Sequence, residues 1–240
     1  MKKVISFMAL VALLLVCTGG PVAEDSLPGP PPPVKWQQRP DMAGGAVIAS
    51  TLATPPALTA AEDWLCFDGS AVSDLHFWGA YAGWQDQTIE PSLPPPGIER
   101  FRLRIFSDSP ATYPGSFSRP DKLLYESWVD NFNESYIDTI ALPDGRFEHV
   151  YRYDLGLPRL FFQRPDRIYW LNIAAEPLDA AYDWGWETSI DHWNDVAVEG
   201  WYENFDSWFW SPVTHPFSLE PVNMSFAMTG CGGPFKWLQL

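Results

Sequence analysis

Between residues 168 and 235 the chain holds ten acidic side chains and no lysine or arginine. Seven of these acids, Asp179, Asp183, Glu187, Asp191, Asp195, Glu199 and Glu203, recur at every fourth position, with Trp184, Trp186, Trp193, Trp201, Trp208 and Trp210 threaded among them. The face of an indole packs on the apolar C–H face of a sugar ring, and carboxylates accept the hydroxyl hydrogen bonds. Trp184, Trp186, Trp193 and Trp201, with Asp191 and Asp195, are therefore the candidates for contact with an extracellular glycan or envelope polymer. Clustered acids also suit Ca²⁺, which takes about six to eight oxygen ligands, although no Asp-x-Asp-x-Asp-Gly loop is present. The alternative is that the tryptophans are core and the acids only solvate loops.

Catalytic patterns are sparse. The four histidines, His76, His149, His192 and His215, form no His-Glu-x-x-His or His-x-His pair, so no zinc site is assigned. There is no Gly-x-Ser-x-Gly elbow, Walker loop or dinucleotide glycine motif. A glycosidase needs only two carboxylates held about 5–9 Å apart, and 30 acids leave that reading open. Nothing matches the Glu-x-Asp-x-x-Glu strand of jelly-roll glucanases, and no catalytic residue is assigned. A binding or interaction domain is the first expectation; a passive envelope spacer or adhesion unit is the second, and a glycoside-active enzyme the third.

The elements that must position these residues are strands. Like charges at every fourth residue would stack on one helical face, each pair costing roughly 0.2–0.5 kcal/mol, and Gly185 and Gly200 interrupt the same stretch. Elsewhere the apolar period is two. Phe101, Leu103 and Ile105 alternate with Arg100, Arg102 and Arg104; Phe147, His149, Tyr151 and Tyr153 with Glu148, Arg152 and Asp154; and Val222, Met224, Phe226 and Met228 with Asn223, Ser225 and Thr229. Further strands are expected at 45–50, 73–82, 122–129, 168–175 and 196–199, separated by turns such as Pro143-Asp144-Gly145. The pattern predicts an all-β domain: a two-sheet antiparallel β-sandwich, jelly-roll-like rather than immunoglobulin-like.

The ends bound the compartment. Lys2 and Lys3 precede an apolar run from Val4 to Val16, and Thr18, Gly19 and Gly20 follow. This is the layout of a secretory signal peptide over residues 1–23; the alternative is lipidation of Cys17. Residues 24–34 make a proline-rich linker, and 35–240 the domain. Residues 1–23 hold two lysines and no acid, so the remainder carries 13 basic and 30 acidic residues. That balance excludes nucleic acid, whose binders need a basic footprint, and no transmembrane segment is expected in the mature chain. Cys66 and Cys231 remain, and an oxidising exterior predicts one disulfide between them.

The motifs also occur in a telling order: Lys35-Trp36-x-Gln38, Glu62-Asp63-Trp64-Leu65-Cys66, Asp74-x-His76-x-Trp78-Gly79, Ser107-Asp108, Ile168-Tyr169-Trp170-Leu171, Trp184-Gly185-Trp186-x-Thr188-Ser189 and His192-Trp193-Asn194-Asp195-x-Ala197. This order resembles a family of secreted microbial domains of unknown function, found in multidomain surface and envelope proteins. The resemblance spans most of residues 35–229 and implies a secreted, jelly-roll-like sandwich; it brings no activity with it. The chain departs from the family pattern at Glu62, where Asp is usual, and at Val196, where a second acid would follow Asp195. The same motifs also read as a structural corner, in which Asn and Asp cap turns and a Trp seals the sandwich end.

Overall fold

The computed structural model describes residues 33–52, 57–202 and 208–230. The expected signal peptide with Cys17, the linker up to residue 32, and Cys231 lie outside them. The described residues form thirteen strands and no helix, so none has the length and apolarity to cross a membrane as a helix.

The strands are β1 (Val34–Gln38), β2 (Val47–Ala49), β3 (Leu58–Cys66), β4 (Val72–Tyr81), β5 (Ile98–Ser109), β6 (Arg119–Val129), β7 (Asn133–Ala141), β8 (Phe147–Phe161), β9 (Arg167–Pro177), β10 (Trp184–Glu187), β11 (Val198–Tyr202), β12 (Trp208–Pro212) and β13 (Phe226–Gly230). One sheet runs β1-β13-β4-β10-β2, with β8 on the other side of β4 and β7 beyond it; the second runs β12-β11-β3-β9-β5-β6. Every strand pair is antiparallel. The chain passes repeatedly from one sheet to the other, which makes the two-sheet antiparallel sandwich that the period of two implies.

The alternating residues do what alternation requires. Phe101, Leu103 and Ile105 of β5, Tyr151 and Tyr153 of β8, and Phe226 and Met228 of β13 all enter one core between the sheets. At its centre Trp184 meets Phe101 at 5.3 Å and Tyr153 at 5.8 Å, edge to face. Gly79 on the neighbouring β4 makes room for it, and Gly185 beside it makes room for Val47 of β2. A Cβ on Gly79 would stand 2.5 Å from the Trp184 ring, and one on Gly185 would stand 2.5 Å from Val47 Cβ. These separations leave no space for a side chain, which is why glycine flanks tryptophan in both motifs.

The structure corrects two expectations. The strand expected over 222–229 begins only at Phe226, because residues 222–225 are recruited elsewhere: Met224 N–H donates to Glu62, and Ser225 N–H to the Glu187 carbonyl. In addition, β3 lies mid-sheet between β11 and β9, yet no alternation marks it. Two acids, Glu62 and Asp63, occupy buried positions on its opposite faces, so polarity there does not report exposure.

Candidate functional site

Successive side chains of a strand face opposite ways. On β3, Ala60, Trp64 and Cys66 enter the inter-sheet core, and Glu62 shares their side. Ala61 joins Phe106, Trp170 and Val198 in a smaller cluster on the outer face, the side that Asp63 takes. Strand β11 pairs with β3 only as far as Ala61. Beyond that point two connecting segments, 189–197 and 221–224, cross the strand and supply donors to both carboxyls.

Asn223 Nδ2 donates to Glu62 Oε1 at 2.8 Å and to the Asp195 carbonyl at 2.8 Å. Met224 N–H donates to Glu62 Oε2 at 2.6 Å. On the outer side Asn194 Nδ2 donates to Asp63 Oδ2 at 2.9 Å and to Asp195 Oδ2 at 2.7 Å. With the Asn223 amide nitrogen turned to Glu62, its oxygen accepts from His192 Nδ1 at 2.9 Å. Asn194 holds φ at 51°, a left-handed conformation that asparagine tolerates better than most residues. That conformation places one amide between two carboxyls.

Burial governs the charge state. It pushes Glu62 well above the usual carboxylate range, and the Asp63 charge adds to the effect; Asn223, Met224 N–H and Gln38 pull it back. Burial also raises Asp63 to about 7, opposed by the Asn194 hydrogen bond and aided by Asp195 and Asp108. Asp108, which accepts Trp170 Nε1–H at 2.8 Å, is raised too, chiefly by burial. The carboxyls of the Glu-Asp-Trp-Leu-Cys, Ser-Asp and His-Trp-Asn-Asp motifs thus feel one another across the outer face of the second sheet.

The structure separates the residues singled out by type. Trp184 and Trp186 are fully buried and unavailable to a ligand; Trp186 Nε1–H donates to the Ser225 carbonyl at 2.7 Å. They pack in the core because β10 is covered on both faces. Trp193 is half-buried and meets Trp36 edge to face at 4.9 Å; Trp36 in turn stacks with Phe67 at 6.0 Å. Trp201 lies elsewhere, half-buried and stacked on Phe209 at 5.9 Å. Asp191 is engaged by Arg39, whose Nη2 and Nε reach it at 2.6 and 3.0 Å and hold its carboxyl below the usual range. Asp195 flanks the Asn194 amide. Trp193, Asp191 and Asp195 therefore share one corner with Trp36 and Phe67, whereas Trp184, Trp186 and Trp201 do not belong to it.

The fourfold acid spacing has no common meaning in the fold. Glu187 is buried in β10 and hydrogen-bonds to Glu148, and both carboxyls are raised, Glu148 to about 7, by burial first. Glu199 Oε1 accepts the Ser211 hydroxyl at 3.4 Å, and Glu203 lies outside the described residues. Glu62, Asp63, Asn223 and Glu148 are the residues that reading by type passed over; the only signal for the first two was their place in a motif. Among the described residues no group of three or more His, Cys, Asp or Glu side chains is placed to hold a metal ion.

The fold and corner define a class: an all-β sandwich in which the Glu-Asp-Trp-Leu-Cys and His-Trp-Asn-Asp stretches meet where two connections cross β3. The chain belongs to the family described as Domain of unknown function (DUF7901), whose model matches residues 34–229. No curated protein and no solved structure matches it.

The raised carboxyls set a pH dependence. A carboxyl held neutral in the fold ionises once the chain unfolds, so the unfolded state binds fewer protons and stability falls as pH rises. The fall starts near ~4, where free carboxyls ionise, and continues to about 7, where Asp63 and Glu148 ionise in the fold. Asp63→Asn mimics the protonated side chain. Urea unfolding at several pH values between these limits should give it a shallower loss than the wild type, the difference not exceeding about 1.4 kcal/mol per pH unit. An unchanged slope contradicts the assignment of Asp63.

Proposed function

We propose that this is a secreted or cell-surface binding domain that contacts an extracellular glycan through the aromatic corner of Trp36, Phe67 and Trp193. The observation that carries the reading is the Phe67 ring, 56% exposed and stacked on Trp36, with Trp193 against the same indole. Exposed aromatic rings on a rigid strand end give a sugar ring a flat apolar face. Neighbouring Asp195 and the Asp68–Lys35 ion pair, at 2.7 Å, supply hydroxyl partners. A passive spacer is the competing reading, favoured by the complete burial of Trp184 and Trp186. A glycan array on the mature domain, with and without calcium, separates the two. The binding reading expects at least one glycan hit that weakens about tenfold in Phe67→Ala and Trp193→Ala, the first of which leaves the core untouched. An empty array, or hits indifferent to both variants, favours the spacer.

The compartment belongs to the same proposal. A start near residue 20–24 and a Cys66–Cys231 disulfide are expected of the exported form. Cys66 is buried, and Met228, near the end of β13, lines the same small crevice. Closing so long a loop stabilises by about 4–5 kcal/mol in the chain-entropy model. Intact mass after thiol alkylation without reduction checks this. An alkylated thiol, a retained Met1 or a diacylglycerol on Cys17 each contradicts a part of it.

A further inference from the structure

Between β8 and β9 the chain turns through residues 162–166 and leaves a groove of about 730 Å³, lined among others by Ser107, Asp108, Leu124, Phe162, Arg164 and Arg167. None of its lining residues belongs to the aromatic corner. Its volume falls within the roughly 300–1,000 Å³ of small-ligand sites.

The rim of the groove sets two exposed arginines beside an exposed aromatic ring. The chain has 30 acids against 15 lysines and arginines, and five of its ten arginines are taken up by acids. Arg39 pairs with Asp191, Arg100 with Glu176, Arg102 with Glu126, Arg146 with Asp144, and Arg152 with Asp154. Arg164 and Arg167 are exposed, and neither forms an ion pair with a described residue. Beside them the ring of Phe162 is 74% exposed, and Leu124 is 44% exposed.

We infer that this groove binds an acidic oligosaccharide, with Arg164 and Arg167 on its anionic groups and Phe162 under a sugar ring. A guanidinium presents a planar fork of donors that matches a carboxylate or sulfate two bonds at a time. An exposed aromatic face takes the C–H face of the ring. Ser107 and Asp108, with Asp166 on the same wall, serve the hydroxyls. A neutral glycan would leave both guanidiniums without a counter-charge, and a simple anion would leave Phe162 uncovered; an acidic sugar uses all of them. The inference shares with the proposed function only the idea that the ligand is an extracellular glycan, and it names a different surface.

Calorimetric titration of the mature protein with trigalacturonate, a sulfated heparin oligosaccharide and neutral cellotriose tests it. Binding of either acidic probe is expected; binding of trigalacturonate shows that carboxylates suffice, and binding of the heparin oligosaccharide alone shows that sulfate is required. The Arg164→Ala/Arg167→Ala variant should lose at least tenfold and Phe162→Ala several-fold, while Trp193→Ala leaves acidic-probe affinity unchanged. Because all three groove residues are exposed, their unfolding midpoints should match the wild type and make a loss of binding interpretable. Failure of both acidic probes to bind, or equal affinity in the double-arginine variant, overturns the inference. Cellotriose binding that depends on Trp193, without acidic-probe binding, overturns the groove and leaves the aromatic corner standing. Acidic-probe binding that depends on the arginines supports the groove whatever the corner does.

Discussion

A carboxyl group removed from water must be given donors, and the two shortest to Glu62 come from residues 161 and 162 positions away along the chain. Everything at the corner follows from that demand. Asn223 can reach Glu62 only if residues 221–224 leave the β13 ladder. Its second amide hydrogen then fixes the Asp195 carbonyl, and its oxygen fixes His192. With both ends of the His-Trp-Asn-Asp segment held, Asn194 is set over Asp63 and Trp193 against Trp36. An unsatisfied buried polar group costs about 1–3 kcal/mol, so the crossing geometry is strongly specified.

The same constraint bears on the residues at positions 62 and 196. Glu62 is one methylene longer than aspartate, and its two oxygens span separate donors, Asn223 Nδ2 and Met224 N–H. Val196 lies next to Asp195 and two residues from Asp63's partner Asn194. A carboxyl there would add charge beside Asp63, Asp108 and Asp195, where burial and mutual repulsion already raise Asp63 and Asp108.

Much of the fold was legible in the sequence. The alternation of Phe101, Leu103 and Ile105, and of Phe226 and Met228, assigned these residues to one face of a sandwich, and they line its core. Two of the failures share a physical cause. β3 carries two buried acids, and β10 is buried at all four positions, so neither shows a period of two. Trp193, Asp191 and Asp195, singled out by type, share a corner in the fold. Trp184 and Trp186 could not be told apart from them, because an indole is equally at home under a sugar or under another sheet. What separates the two cases is Gly79 and Gly185, whose missing side chains open the space that Trp184 and Val47 fill.

The central claim is that the Glu62–Asn223 link organises this corner, and a double-mutant cycle on folding stability tests it most directly. Glu62→Ala and Asn223→Ala, singly and together, would be measured by urea unfolding. The account predicts a coupling of about 0.5–3 kcal/mol, because each single variant takes one hydrogen-bond partner from the other's buried polar group. Additivity of the two changes within about 0.3 kcal/mol would contradict it.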